Sequence, residues 1–294
     1  MALDPERRIL TWFNDRWHEG NLAVMGAADH GTWLGTLVFD GARRFDGVAP
    51  DLLAHCERVN HSASALDLTP VHTADAIVKL AMEGLEQFTP DEAVYIRPMY
   101  WSRDFGDGVI AADSDSTVFC LCLETIPMPP VDAVATLADT RFNRPTLDVA
   151  TVDAKAACLY PNNARMVREA IARGFSNALV TDVLGNVAET ATSNIFMVRD
   201  GEVLTPVPNG CFLNGITRQR TMQLLAEDGS PVTEAVLTKA DFHAADEVFL
   251  TGNIAKVTPV TAYENTHYAI GPVSRRAREL YFDWAHSLSA TGQH

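Results

Sequence analysis

The stretch TVDAKAACLYPNN sets Lys155 among Ala154, Ala156, Ala157 and Cys158, and the chain has only four lysines among its 23 lysines and arginines. An amine in an apolar setting is costly to keep charged. Its pKa falls, and the neutral form is a nucleophile able to make a Schiff base. A solvated lysine at a strand end is the plainer alternative. Lys79 lies in a helical pattern and Lys239 before a short helix, which leaves Lys256, after TGNIA, as the other candidate amine.

Glu189 in GNVAETATSNIF is a carboxylate in a small, apolar strand region. If buried, it needs a cationic partner. LNGITRQRTMQLL opens a helix at a glycine followed by two β-branched residues, which exposes backbone N–H groups at the positive end of the helix dipole and suits a phosphate. Arg58 in HCERVNHSASAL sits on a predicted helix, where a guanidinium fork can grip a phosphate. Arg43 and Arg97 lie in strand-like segments, where a long cation facing inward needs an anion.

The elements that must position these residues follow from periodicity. RILTWFNDRWHEG and TLVFDGARRFDG read as strands, APDLLAHCERVNHSASAL and TADAIVKLAMEGLEQF as helices, and AVYIRPMYW and STVFCLCLE as strands again. ETIPMPPVDA breaks both patterns with its three prolines and reads as a linker. The expected organisation is a smaller N-terminal domain over 1–126, a linker over 127–135 and a larger domain over 136–294.

In the second part NNARMVREAIARGF predicts a helix capped by Asn162 or Asn163, with Val167, Ala170 and Ile171 on its inner face. Hairpins turn at Gly185-Asn186 and Asp200-Gly201. PVTEAVL and EVFLTGN read as strands, and GPVSRRARELYFDWAHSL closes the chain as a helix.

Composition narrows the function. With 294 residues, 47% hydrophobic and 21% charged, the chain can bury one large core or two smaller ones. A net charge of −15 argues against a nucleic-acid partner, since that affinity leans on clustered cations. Five scattered cysteines without a CxxC pair signal neither a disulfide framework nor a metal site, and point to a reducing compartment. No run reaches the length of a membrane span, and no cleavable leader opens the sequence, so a cytoplasmic location is expected.

Taken together, AKAACLY, GNVAETATSNIF, GITR and EVFLTGNIAKVTPV resemble the fold-type IV pyridoxal-phosphate enzymes, in particular the branched-chain amino acid aminotransferases, from about Phe13 to the last helix. The resemblance implies a two-domain α/β (mixed α+β) fold, with sheet and helices in the N-terminal domain and a mixed sheet with a barrel-like core in the C-terminal one, pyridoxal 5'-phosphate as cofactor, a homodimer or higher homo-oligomer, and amino-acid and 2-oxo-acid substrates. The implied reaction is a ping-pong transfer from Leu, Ile or Val to 2-oxoglutarate through pyridoxamine phosphate. Lys155 would carry the cofactor as a Schiff base and act as base and acid. Tyr160 would meet the phenolic oxygen, and Glu189 the protonated pyridine nitrogen that makes the cofactor an electron sink. Arg58, Asn194, Gly215, Ile216, Thr217 and Asn253 fall at further cofactor positions. Leu34, Phe39, Gly41, Arg43, Tyr95, Arg97, Val109, Asn253 and Ile254 fall at substrate positions. Arg97 would take the side-chain carboxylate of glutamate, with Phe39 and Tyr95 walling an apolar pocket.

Two departures stand out. Leu34 occupies a place where the subgroup usually has tyrosine, and Asn253-Ile254 replaces the common Thr-Ala. The loop SRDFGDGVIAADSDS, which in relatives reaches a neighbouring subunit, carries Arg103 and Asp107. Sister activities stay open. YIRPMYWSRDF has no histidine of the RxH kind found in D-amino-acid aminotransferases, and Arg43 stands where (R)-amine transaminases typically lack an arginine. An aminodeoxychorismate lyase would keep Lys155 and Glu189. A non-catalytic scaffold would be expected to lose the lysine or the phosphate cradle, and this chain has both.

Overall fold

The computed structural model describes residues 7–291, with side chains through 288. Among these residues two compact units emerge: 7–128 with 154–158 and 285–291, and 129–153 with 159–284. The break at Met128–Pro129 falls inside the proline-rich segment. The division differs from an uninterrupted second domain, because the lysine segment 154–158 and the chain from 285 group with the first unit.

In the first unit, β1 (Ile9–Phe13) and β2 (Arg16–Glu19) form a hairpin whose Asn14 and Asp15 both take positive φ, as a tight two-residue turn requires. After a short helix α1 (His30–Trp33) come β3 (Leu37–Phe39), β4 (Ala42–Arg44), helices α2 (Leu52–Ala65) and α3 (Ala74–Leu85), and the long strands β5 (Val94–Ser102) and β6 (Thr117–Thr125). The sheet runs β2-β1-β6-β5-β3, with β4 also on β5, all antiparallel. TLVFDGARRF is thus two strands rather than one. Residue 41, between the two strands, is a glycine whose place admits no side chain, since a Cβ there would lie 1.9 Å from the Tyr95 hydroxyl.

β5 alternates as the pleat demands. Val94, Ile96 and Tyr100 are buried, packing with Leu121, Leu123, Cys56, Val59, Ile77 and Ala81 from β6 and the two helices. Tyr95, Arg97 and Met99 lie on the other face, opposite Glu124, Cys122 and Cys120 of β6. Directly paired residues share a face, so one side of this sheet carries both the arginine and the glutamate.

The second unit is built on β7 (Ala135–Asn143), β8 (Asn177–Thr181), β9 (Val187–Thr190), β10 (Asn194–Arg199), β11 (Glu202–Pro206), β12 (Val232–Ala235), β13 (Glu247–Gly252), β14 (Lys256–Tyr263) and β15 (Thr266–His267). They form one mixed sheet in the order β12-β11-β10-β13-β14-β7-β8-β9, with β15 on β14. β11/β12, β14/β7 and β7/β8 are parallel. Its helices are α4 (Tyr160–Ala172), α5 (Ile216–Glu227), α6 (Lys239–His243) and α7 (Pro272–Thr291), the last running on into the residues grouped with the first unit. Among the described residues no helix is long and apolar enough to cross a membrane.

α4 begins earlier than its asparagines suggest. Leu159 is its N-cap and Pro161 sits in its first turn, where a missing N–H costs nothing. The buried stripe is Met166 and Ala170 with Val167 beside it, while Ile171 is 59% exposed.

Gly84 on α3 is walled by Trp17 and Leu123, with a Cβ at that position 2.5 Å from the indole and 2.6 Å from the leucine. Gly84→Ala is therefore expected to destabilise by about 1–3 kcal/mol through overpacking, although the same change in an open helix stabilises by about 1 kcal/mol. Urea unfolding of the two proteins checks the sign.

Candidate active site

In the first unit the lysine segment lies beside β3. The Phe39 amide donates to the Lys155 carbonyl at 3.1 Å, the Lys155 amide donates to Ser62 Oγ at 3.0 Å, and Ala156 bridges Val38. Ala154 and Ala156 are buried, so the backbone is fixed on both sides of the half-buried lysine. Its Nζ stands 5.3 Å from the centre of the Phe39 ring. Small residues here let the backbone approach closely, and Phe39 supplies the apolar wall.

Arg58, on α2, is held by an aspartate that no motif in the sequence singles out. Its Nε and Nη2 donate to the two oxygens of Asp40 at 2.6 and 2.9 Å, and His55 Nδ1 meets the same carboxylate at 2.7 Å. Asp40 is fully buried. Burial alone raises a carboxyl pKa, but Arg58 and His55 outweigh it and hold Asp40 well below the usual carboxylate range. The guanidinium is thereby set in one orientation. Among VFDGARRF only the placing of an acid within a buried strand pattern hints at this.

The substrate candidates of this unit divide. Arg43 is fully buried and donates to the Ile126 carbonyl, and burial lowers its pKa to about 10 against a raising influence from Tyr95. Gly41 packs under the Tyr95 ring. Arg97 lies across the Tyr95 ring at 5.1 Å and pairs with Glu124 at 2.9 Å. Burial lowers its pKa, yet Cys122, Tyr95 and Glu124 together leave it raised. Leu34 and Val109 are exposed, Val109 in the loop that follows β5.

The second unit gathers the other candidates. Glu189, on β9, has a side chain 12% exposed and pairs with Arg144 at 3.0 Å. Arg144 donates also to the carbonyls of Thr190 and Ala191 and to Asn163 Oδ1. It is the counter-charge that a withdrawn carboxylate needs. In FNRPT it looks like an ordinary loop cation, and no local spacing links it to a glutamate so far along the chain.

Asn194 joins this pair to α5. Its Nδ2 faces Glu189 at 3.3 Å and the Leu213 carbonyl at 3.0 Å, and its Oδ1 accepts from the Gly215 amide at 3.2 Å. Any Cβ at Gly215 would fall 2.1 Å from that oxygen, so the N-cap is glycine by necessity. α5 has no side-chain cap and no acid in its first turn, which leaves the Ile216 and Thr217 amides for an anion. Thr251 pairs with Asn194 across β10 and β13, and its Oγ1 is enclosed with no hydrogen-bond partner among the described residues. An orphaned hydroxyl and an uncapped helix start are what a phosphate-bearing ligand fits. Tyr160 begins α4 and is 37% exposed.

At the β13–β14 turn the Asn253 Oδ1 accepts from Lys256 Nζ at 2.7 Å, and Ile254 is partly exposed. Lys256 is 1% exposed and takes positive φ, so it serves as a turn-holding group.

Residues 37–263 match the family model described as Amino-transferase class IV. A branched-chain-amino-acid aminotransferase of Pseudomonas aeruginosa is 30% identical over 282 residues, 91% of each chain. The crystal structure of an aminotransferase from Brucella abortus bound to the cofactor PLP is similar with a TM-score of 0.93 and 57% identity, covering 95% of this chain and 99% of the other. The crystal structure of a branched-chain aminotransferase from the thermophilic archaeon Thermoproteus uzoniensis with norvaline is similar with a TM-score of 0.87 and 26% identity, covering 95% of each chain.

Two outcomes follow from these ion pairs. Arg144→Met strands Glu189 without its cation, and chemical denaturation is expected to show a loss of about 3–5 kcal/mol, partly recovered when Glu189→Gln is added. Asp40 has a folded-state pKa depressed below its ordinary value of 3.8, so its stabilisation is full above that value, declines as pH drops below it, and is gone only once pH has fallen through the lower folded-state value. Between about pH 5 and about pH 3 the native protein should lose more stability than Asp40→Asn, and unfolding curves at the two pH values compare them.

Proposed function

The chain belongs to the class IV aminotransferases, in the branched-chain amino acid aminotransferase family, and from that premise we propose that it moves the amino group of L-leucine, L-isoleucine or L-valine to 2-oxoglutarate in two half-reactions. The observation that carries the reading is the second-unit arrangement of Glu189, Arg144, Asn194 and the uncapped α5: a paired carboxylate tied by one asparagine to a phosphate-accepting helix start.

Pyridoxal phosphate, the cofactor of this family, supplies when bound the electron sink that lets a Cα–H bond break heterolytically. The residues that would hold it are Lys155 through its amine, Glu189 at the pyridine nitrogen, Tyr160 at the phenolic oxygen, and Arg58 with the amides of Ile216 and Thr217 at the phosphate. Arg144 keeps Glu189 in place to face a cationic nitrogen, because the ion pair and its backbone contacts fix the carboxylate. Asp40 and His55 orient Arg58 in the same way. Lys155 Nζ would take the proton from the substrate Cα and deliver it to the C4' carbon of the bound cofactor, and the apolar Phe39 ring beside it limits hydration of the amine. Phe39 and Tyr95 favour an aliphatic side chain, and Arg97 supplies a cation for the second carboxylate of glutamate.

Action in the cytoplasm is supported by the five unpaired cysteines, and assembly as a homodimer by the family resemblance.

Purified protein supplied with pyridoxal phosphate is expected to show a visible absorbance band that bleaches on addition of L-leucine but not of D-alanine or (R)-1-phenylethylamine. Lys155→Ala should lose both band and turnover. A response confined to the D-acid or the amine moves the protein to a sister activity, and transamination by the variant rejects the role of Lys155.

A further inference from the structure

The face of the first unit's sheet that carries Tyr95 and Arg97 holds a carboxylate between two guanidiniums. Glu124 Oε1 is 2.8 Å from Arg7 Nε, and Oε2 is 2.9 Å from Arg97 Nη2. The glutamate side chain is 6% exposed, whereas those of Arg7 and Arg97 are 28% and 30% exposed. The register explains the contact: Arg97 lies opposite Cys122, and Glu124, two residues on, is its diagonal neighbour on the same face. The Arg97 guanidinium is further confined by the Tyr95 ring and by Cys122 Sγ at 3.9 Å.

We propose that Glu124 is a specificity-determining residue, a resident carboxylate that competes with a substrate's second carboxylate for Arg97. The inference rests on the reading of Arg97 as the contact for that group. A bound dicarboxylate would place its distal anion within a few ångströms of a fixed anion that already uses one of the arginine's donors, whereas an aliphatic side chain meets no such cost. Like charges held close disfavour the complex, and the effect is larger where one of them is withdrawn from water. Glu124 thus weakens the enzyme's grip on 2-oxoglutarate and glutamate and leaves its grip on leucine-like acids alone. Arg7 keeps the buried carboxylate compensated when Arg97 turns to a ligand, so Glu124 is not stranded by the exchange.

The test uses the holoenzyme with two unreactive acids, glutarate as the dicarboxylate and 4-methylpentanoate as the leucine-shaped monocarboxylate, titrated by calorimetry. Wild-type protein should bind glutarate no more tightly than 4-methylpentanoate. Glu124→Gln preserves shape and an acceptor oxygen but removes the charge, and is expected to tighten glutarate about tenfold, about 1.4 kcal/mol, with 4-methylpentanoate changed by less than about twofold. The gain should vanish when Arg97→Gln is added. Unchanged or weaker glutarate binding, an equal gain for both acids, or a gain that survives Arg97→Gln overturns the proposal. The wild-type comparison stands even if the variant folds poorly. Failure of the L-leucine bleaching test with a shifted glutarate ratio rejects only the branched-chain reading, and the reverse pattern rejects only the role of Glu124.

Discussion

Charge withdrawn from water has to be paired, and the organisation of this protein's functional residues depends on that constraint. The desolvation cost of a lone buried carboxylate is several kcal/mol, more than most local preferences can offset. Each acid at the candidate site therefore comes with a guanidinium: Asp40 with Arg58, Glu189 with Arg144, Glu124 with Arg97 and Arg7. Because arginine presents a planar fork, these pairs fix orientation as well as charge. Their value lies in holding a group ready to meet a ligand more than in net stability.

The backbone answers the same need for anions. At α5 the helix start is left without a side-chain cap, and Gly215 admits the Asn194 oxygen where any side chain would collide. One asparagine connects the carboxylate at β9 to that helix start, so the two ends of a ligand-sized feature are referred to a single side chain. In the first unit the lysine segment is secured through backbone contacts to Phe39 and Ser62, so its place in the chain is fixed by the main chain on either side of the side chain.

The same pairing rule underlies the selectivity proposed for Glu124. A half-buried cation on a sheet face attracts a carboxylate, and a neighbouring acid on that face would temper the attraction without removing it. Specificity is a difference between affinities, and a resident competitor alters the difference without altering the apolar walls.

Much was legible in the residues alone. Lys155, Glu189, the Gly215 helix start and Arg58 stand out as candidates because their chemistry and their local settings sit within one short stretch each. Strand alternation in AVYIRPMYW and the Asp200-Gly201 turn are local too, and both are present. The start of α4 was displaced from its asparagines because the proline just before them is equally welcome in a first turn. What the sequence could not contain is the identity of partners distant along the chain: Arg144 for Glu189, Asp40 for Arg58, Glu124 for Arg97, or the return of 154–158 to the first unit. Local spacing determines which groups can do chemistry and which elements carry them. Only the tertiary structure decides which charges meet, because pairing depends on sheet register and burial, and those are set by the whole core at once.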